Sequence, residues 1–358
     1  MNDFEDRPDQ LCAIYVDMGT TNARVWLLHG NKVLARAGRQ VGVRDTTHDL
    51  TTQSLRNALR QLITEVQELA RHASSSCAPV CVVAAGMIGS PIGLAELAHI
   101  AAPAGLQELS AAASQFQFPE VTALPFLLVP GVRSGSISAD VRSLDHADVM
   151  RGEETLCVGL HALGLVACPA VVLTLGSHWK AIRLDAAGRI QESTTSLSGE
   201  MIHAVQTETI LSSSVGSDWP KEISTEWLES GMNEQRRSGL SRALFCVRLL
   251  DLNHQATQDE RFAYLLGAFI AAELDALVTR GVLNQQEQVI ISGHAMTAEA
   301  WAFALARMSV TATVLAEEAT EAAFLAGLNR ILVEQVRTGK IGTSGTKGTK
   351  RSMKSSGA

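Results

Sequence analysis

No stretch of this chain is apolar for anything near the ~18 residues that would cross a bilayer. Met1 to Gln10 is acidic and polar, where an export signal would need a basic lead and an apolar segment. A cytoplasmic protein without a membrane partner is expected. The cysteines Cys12, Cys77, Cys81, Cys157, Cys168 and Cys246 are scattered, mostly inside apolar runs, and no pair has a metal or redox spacing. Buried free thiols are therefore expected. Positive charge is short as well. The net charge is −7, and residues 338–358 hold the cations Lys340, Lys347, Lys350, Arg351 and Lys354 with no acid, so the remainder stands at −12. That balance speaks against nucleic acid as a partner, and no DNA-binding helix pair precedes residue 13.

What is present suits a soluble protein with a rather apolar interior: 358 residues, 46% hydrophobic and 19% charged. That length accommodates two domains. The most informative stretch is Ile14 to Leu28. The apolar run Ala13 to Val16 meets Asp17, then Gly19, Thr20 and Thr21, then a second apolar run, Ala23 to Leu28. Strand, tight turn and strand are predicted. A glycine and two hydroxyl residues let the backbone bend sharply and offer successive N–H groups to an anion. Asp17 would sit beside the bound phosphates as a partner for hydrated Mg²⁺. A plain Gly-Thr hairpin explains the same residues equally well.

Lys32 to Arg39 closes a three-stranded meander, and the loop Gly42 to Asp45 leads to a helix from about His48 to Ala73, with Leu55, Leu59, Leu62, Ile63 and Val66 at helical spacing. Val80 to Ala85 reads as a buried strand running into Gly86, Met87, Ile88, Gly89 and Ser90. Two glycines there suggest backbone close to a ligand, or an ordinary strand-to-helix turn. Phe126 to Pro130 is a further strand, and after a polar stretch Arg151 precedes Glu153 and Glu154 at the start of a helix that runs to Leu163. The macrodipole alone would explain acids in a first turn, while Arg151 could hold a carboxylate or phosphate in bidentate fashion.

The pattern then restarts. Ala170 to Thr174, the turn Leu175 to His178, Trp179 to Leu184 and Arg189 to Ser196 repeat the order of residues 13 to 39 in architecture. Two like halves, each opening with a phosphate-friendly hairpin, imply a cleft between them. Helices follow from Gly199 to Ser212, a short one around Trp227, then Arg237 to Leu250 and Arg261 to Thr279. Gln288 to Ser292 is a strand ending at Gly293, where a flat base could lie against backbone. Val310 to Ala316 is the last strand, and a helix opened by Glu317 and Glu318 ends near Val336. The Gly-, Ser-, Thr- and Lys-rich remainder reads as disordered.

In this order the blocks resemble the sugar kinase, actin and heat-shock chaperone superfamily. Within it, the chain is similar to the 2-dehydro-3-deoxygalactonokinases. The resemblance is carried by Asp17 to Arg24, Ala85 to Ser90 and Met150 to Thr155, with further matches at Leu197 to Glu200 and Ser292-Gly293. Met18 stands where the family usually has Trp. Its second hairpin usually reads Pro-Gly-Thr-His-x-Lys-Trp, against Leu175-Gly176-Ser177-His178-Trp179-Lys180-Ala181 here, which bears on substrate preference more than on reaction class.

The resemblance implies an α/β fold of two ribonuclease-H-like domains around a nucleotide cleft. It places a flexible 1–11, an N-terminal domain at 12–168, a C-terminal domain at 169–337 and a basic tail at 338–358. It also implies phosphorylation of the terminal hydroxyl of 2-dehydro-3-deoxy-D-galactonate by ATP with Mg²⁺, in galactonate degradation. A related ketodeoxy sugar acid, or a binding protein that transfers nothing, are the alternatives, and a homodimer is compatible with all three. Asp17 would hold Mg²⁺ through water. Gly19, Thr20, Thr21, Asn22, Gly176, Ser177, His178 and Gly293 would hold the nucleotide, and Lys180 would offset transition-state charge. Related sugar kinases take the hydroxyl proton with an acid at the place of Glu153 or Glu154, and Glu154 is preferred by its offset along the helix. Arg24 or Arg151 would meet the substrate carboxylate, and Gly86, Met87, Ile88, Gly89 and Ser90 would line the sugar.

Overall fold

In strand β1 (Cys12–Met18) successive side chains enter two different cores. Cys12, Ile14, Val16 and Met18 pack on one side, and Ala13 and Tyr15 on the other, as the two-residue period of a strand requires. The protein is described here by a computed structural model covering residues 10–43, 52–73, 77–136, 140–284 and 286–340. β1 runs antiparallel to β2 (Ala23–His29), with Asp17 opposite Arg24, and parallel to β4 (Val82–Gly86), with Met18 beside Gly86. With β3 (Lys32–Arg39), β6 (Ser114–Phe116) and β7 (Phe126–Leu128) they form a sheet of order β3-β2-β1-β4-β7-β6. Helix α1 (Gln53–His72) covers one face with Leu55, Leu59, Leu62, Ile63 and Val66. The earlier part of that expected helix, residues 48–51, lies outside the described residues, as do 1–9, Arg44, Asp45 and the tail from 341.

The second sheet repeats the first. β10 (Ala170–Leu175) is antiparallel to β11 (Trp179–Leu184) and parallel to β13 (Gln288–Gly293), with Leu175 beside Gly293. β12 (Ile190–Ser196) and β14 (Ala312–Val314) complete the order β12-β11-β10-β13-β14. Both sheets therefore have the ribonuclease-H-like arrangement, and the fold is the expected two-unit α/β architecture.

Three cores result. The outer one of the second sheet is filled by α6 (Thr225–Ser238), α8 (Gln258–Thr279) and α9 (Ala295–Ala306). Among the described residues α8 is the helix long and apolar enough to cross a membrane, but Phe262, Leu266, Phe269 and Ile270 bury it inside the protein. The middle core is shared by both sheets and holds α3 (Glu153–Ala162) and α10 (Glu317–Arg337). These two helices touch backbone to backbone: a Cβ on Gly159 would lie 1.6 Å from the Ala323 carbonyl oxygen, and one on Gly327 would lie 1.9 Å from that of Thr155. Tyr15 Oη donates to Asn329 Oδ1 at 2.8 Å, pinning α10 to β1. The contact fixes the rotation of α3 about its axis, and so where its first acids point.

Several local expectations change. Cys12 and Cys77 are joined in a disulfide rather than held as free thiols. The physical reason is the path of the chain, which leaves β3, runs through α1 and returns beside β1, where Val80 N–H donates to the Cys12 carbonyl at 2.9 Å. Cys81 and Cys157 are buried free thiols, while Cys168 and Cys246 are only half-buried. Leu11 belongs to the core, and Lys340 is docked, its Nζ donating to the Ala111 carbonyl at 2.9 Å. The helix around Trp227 extends over fourteen residues. The polar stretch before α3 contains a small sheet, β5-β8-β9, from β5 (Ile100–Ala101), β8 (Val132–Ser134) and β9 (Asp148–Met150).

Candidate active site

The first hairpin is tight enough that part of its hydrogen-bonding capacity is spent internally. Gly19 N–H donates to the Asn22 carbonyl at 2.8 Å, and Asn22 Nδ2 to Thr21 Oγ1 at 3.1 Å. Thr21 and Asn22 are exposed and Thr20 is half-buried. Asp17 Oδ2 accepts from Arg24 Nη2 at 2.6 Å and from Nε at 3.2 Å, so Arg24 faces Asp17 across the ladder, with its guanidinium 5.7 Å from the Trp26 ring centroid.

Beside Asp17 the chain passes twice at close quarters, at Gly86 and at Gly152. Gly86 has φ +86°, and a Cβ there would lie 2.5 Å from the Met18 carbonyl oxygen and 3.5 Å from Asp17 Oδ1. Gly152 has φ +111°, and its Cβ would lie 3.5 Å from Gly86 Cα. Side chains at either position would push the first acids of α3 away from Asp17. The two acids differ. Glu154 is fully buried, and both its carboxyl oxygens accept the Gly152 N–H at 2.8 Å. Burial, with the neighbouring Glu153 charge, pushes its pKa up to about 8. Glu153 is half-buried as a residue, and its Oε2 is enclosed without a protein partner. Burial raises its pKa, the Lys180 ammonium opposes that rise, and Asp17 adds to it.

Behind the acids, Arg151 Nη2 donates to the Leu97 carbonyl at 2.5 Å and lies 3.5 Å from His99 Nδ1, while its Nη1 is buried without a partner. Burial together with Arg151 and Arg133 lowers the His99 pKa. Met87–Gly89 forms a 3₁₀ turn. Its carbonyls are spent inside the loop: Met87 accepts from Ser90, Ile88 from Leu94 and Gly89 from Leu97. Ile88 and Gly89 are buried, so what this loop offers is the enclosed, unpartnered Ser90 Oγ.

On the second sheet, Lys180 in β11 is only 5% exposed. Its Nζ donates to the Val149 carbonyl at 3.0 Å and to Thr195 Oγ1 at 2.5 Å. Asp148 Oδ2 accepts from Thr195 Oγ1 at 2.8 Å and from Ser193 Oγ at 2.5 Å. Sequence reading missed Asp148, Ser193 and Thr195, since only the packing of the small β5-β8-β9 sheet against β12 brings them together. Gly176 and Ser177 are exposed at the turn. The turn rests on Gly199, where a Cβ would lie 2.1 Å from the Gly176 carbonyl oxygen, and on Glu200, whose N–H donates to Ser177. His178 Nε2 lies 3.8 Å from Glu200 Oε1. Gly293, φ +152°, lies under the same turn, its would-be Cβ 2.6 Å from the Leu175 carbonyl oxygen.

Asp17, Glu153 and Lys180, far apart in the chain, are thus electrostatic neighbours. Of seven buried side-chain atoms without a partner among the described residues, Ser90 Oγ, Arg151 Nη1, Glu153 Oε2 and Thr174 Oγ1 belong to these loops. Such atoms cost ~1–3 kcal/mol each when left unpaired, which is tolerable where a polar ligand supplies the partner. No group of three or more metal-ligating side chains occurs among the described residues. A single carboxylate, Asp17, beside the Gly-Thr turn fits Mg²⁺, which keeps several waters and binds through one or two carboxylates with phosphate oxygens.

The chain is 27% identical over 325 residues to the 2-dehydro-3-deoxygalactonokinase of Escherichia coli (strain K12), covering 89% of this chain and 96% of that one. A relative from Rhizobium meliloti (strain 1021) named for the same activity is 27% identical over 261 residues, covering 72% and 78%. A crystal structure from Sinorhizobium meliloti, also named for a 2-dehydro-3-deoxygalactonokinase, superposes with a TM-score of 0.70 at 25% identity, covering 89% of this chain and 95% of that one. Residues 17–331, from the first hairpin through both acids and the second hairpin into α10, match the family described as 2-keto-3-deoxy-galactonokinase, and the chain belongs to that family.

Proposed function

We infer that the chain moves the terminal phosphoryl group of ATP onto the terminal hydroxyl of 2-dehydro-3-deoxy-D-galactonate, giving the 6-phosphate, with Glu153 taking the hydroxyl proton. Kinase chemistry on an alcohol acceptor, and ATP as donor, go with the family. The sugar acid is the one its relatives are named for. The observation that carries the residue assignment is the close approach of Gly152, which leads into Glu153, to Gly86 beside Asp17, with Asp17 and Lys180 both acting electrostatically on Glu153.

Phosphoryl transfer asks a protein for positioning, charge neutralisation and an acceptor for one proton. Mg²⁺ arriving with the nucleotide would supply charge neutralisation, and Asp17 would hold it through water. Thr20, Thr21 and Asn22 on one side and Gly176, Ser177 and His178 on the other would meet the phosphates, with Gly293 under the nucleoside. Lys180 would face the transferred group. For the base we take Glu153 over Glu154, because Glu153 keeps an unclaimed oxygen while both oxygens of Glu154 are turned onto Gly152. For the substrate carboxylate we take Arg151 over Arg24. Arg24 is committed to Asp17, whereas Arg151 retains an unclaimed Nη1 beside Gly89.

The test is ADP release with ATP and a panel of ketodeoxy sugar acids, followed by identification of the phosphorylated product. No sugar-acid-dependent ADP release across the panel would sink the reading.

A further inference from the structure

We propose that Asp148, acting through Thr195, is a positioning residue that aims the Lys180 ammonium at the reacting centre. The proposal rests on the reading of Lys180 as the cation facing the transferred phosphoryl group.

An ammonium has three N–H donors and no acceptor. Lys180 spends one on the Val149 carbonyl and one on Thr195 Oγ1, which leaves one for the site. Thr195 has a single hydroxyl proton, and at 2.8 Å it goes to Asp148 Oδ2. That donation turns the Thr195 lone pairs toward Lys180. Asp148 is in turn held by the Ser193 hydroxyl at 2.5 Å, and Ser193 N–H donates to Ser134 Oγ at 3.3 Å. The chain of bonds therefore begins on β8, passes through β9 and β12, and ends on β11. Its partners are 45 and 47 residues apart in sequence. Val149, which takes the other Lys180 donor, is on the strand that leads through Arg151 and Gly152 into Glu153. One network thus ties the cation of the second hairpin to the segment carrying the acids of α3. A buried ammonium on a flexible four-carbon stem needs such fixing, because the stem itself selects no direction.

Removing the carboxylate charge (Asp148→Asn) or the hydroxyl (Thr195→Val) should free the ammonium while leaving the strands paired. We expect kcat to fall about tenfold with the ATP KM within about twofold, the pattern of an interaction made in the transition state. Acylation of Lys180 by an N-hydroxysuccinimide ester, mapped by peptide mass spectrometry, should speed up about tenfold as its tether is lost. The exposed Lys32 and Lys221 serve as unchanged internal controls. Thr195→Ser, which restores the hydroxyl, should return both readouts to wild type. Wild-type kcat in both variants overturns the proposal. So does a lowered kcat with Lys180 acylation unchanged in a folded variant, since the effect would then not pass through Lys180. If the wild-type chain transfers no phosphoryl group to any sugar acid, the kinase reading fails instead, and the acylation rates alone still decide whether Asp148 and Thr195 tether Lys180.

Discussion

Replacing Glu153 and Glu154 one at a time by Gln separates two adjacent carboxyls whose surroundings differ sharply. A general base is worth ~10²–10⁴-fold in rate, so Glu153→Gln should lower kcat by at least about a hundredfold with ATP binding unchanged. Glu154→Gln should do far less. With its pKa near 8, Glu154 is largely neutral at neutral pH, and Gln imitates a neutral carboxyl while still accepting the Gly152 N–H. Its effect should appear in stability. The folded pKa lies above the ordinary value of 4.5, so the unfolded chain releases this proton first. Folding is undisturbed below about pH 4.5 and progressively penalised as pH rises toward 8, with a ceiling of about 5 kcal/mol. Glu154→Gln removes that penalty. Its melting temperature should exceed that of the wild type by a margin that widens from pH 5 to pH 8. The assays are coupled ADP release for kcat and KM, and thermal unfolding across that pH range. Near-normal kcat in Glu153→Gln, collapse of kcat in Glu154→Gln alone, or a stability difference that does not grow with pH would refute the reasoning.

Asp17→Asn should abolish Mg²⁺-dependent ATP turnover in a chain that unfolds at the wild-type temperature, and retained turnover would undo the nucleotide-site assignment. Gly159→Ala or Gly327→Ala places a methyl against backbone between α3 and α10. A loss of about 3 kcal/mol or more is expected in urea unfolding, at the upper end of overpacking effects, with activity falling alongside. Tyr15→Phe leaves Asn329 Oδ1 without its buried donor and should cost about 1–2 kcal/mol by the same measurement, with kcat little changed.

Where local pattern and turn chemistry carried the information, the chain announced its structure. β1 and β2 with their Gly-Thr turn, and β10 and β11 with theirs, follow from apolar runs broken by residues that bend easily. The β5-β8-β9 sheet was not legible, because strands of two or three residues carry no period and exist only through distant partners. Cys77 offered no sign of Cys12, since the pairing depends on where α1 returns the chain.

The sequence by itself determined the two-fold repeat, the family and the blocks that carry the family resemblance, all of which reside in contiguous residues. Only the tertiary structure decided how the side chains in those blocks are buried and partnered. The Gly159–Gly327 contact sets the rotation of α3, which turns Glu154 inward onto Gly152 and leaves one Glu153 oxygen without a protein partner. The packing of β9 against β12 brings Asp148 to Thr195. Neighbouring acids look alike in sequence, and burial, which comes from packing against remote parts of the chain, is what tells them apart.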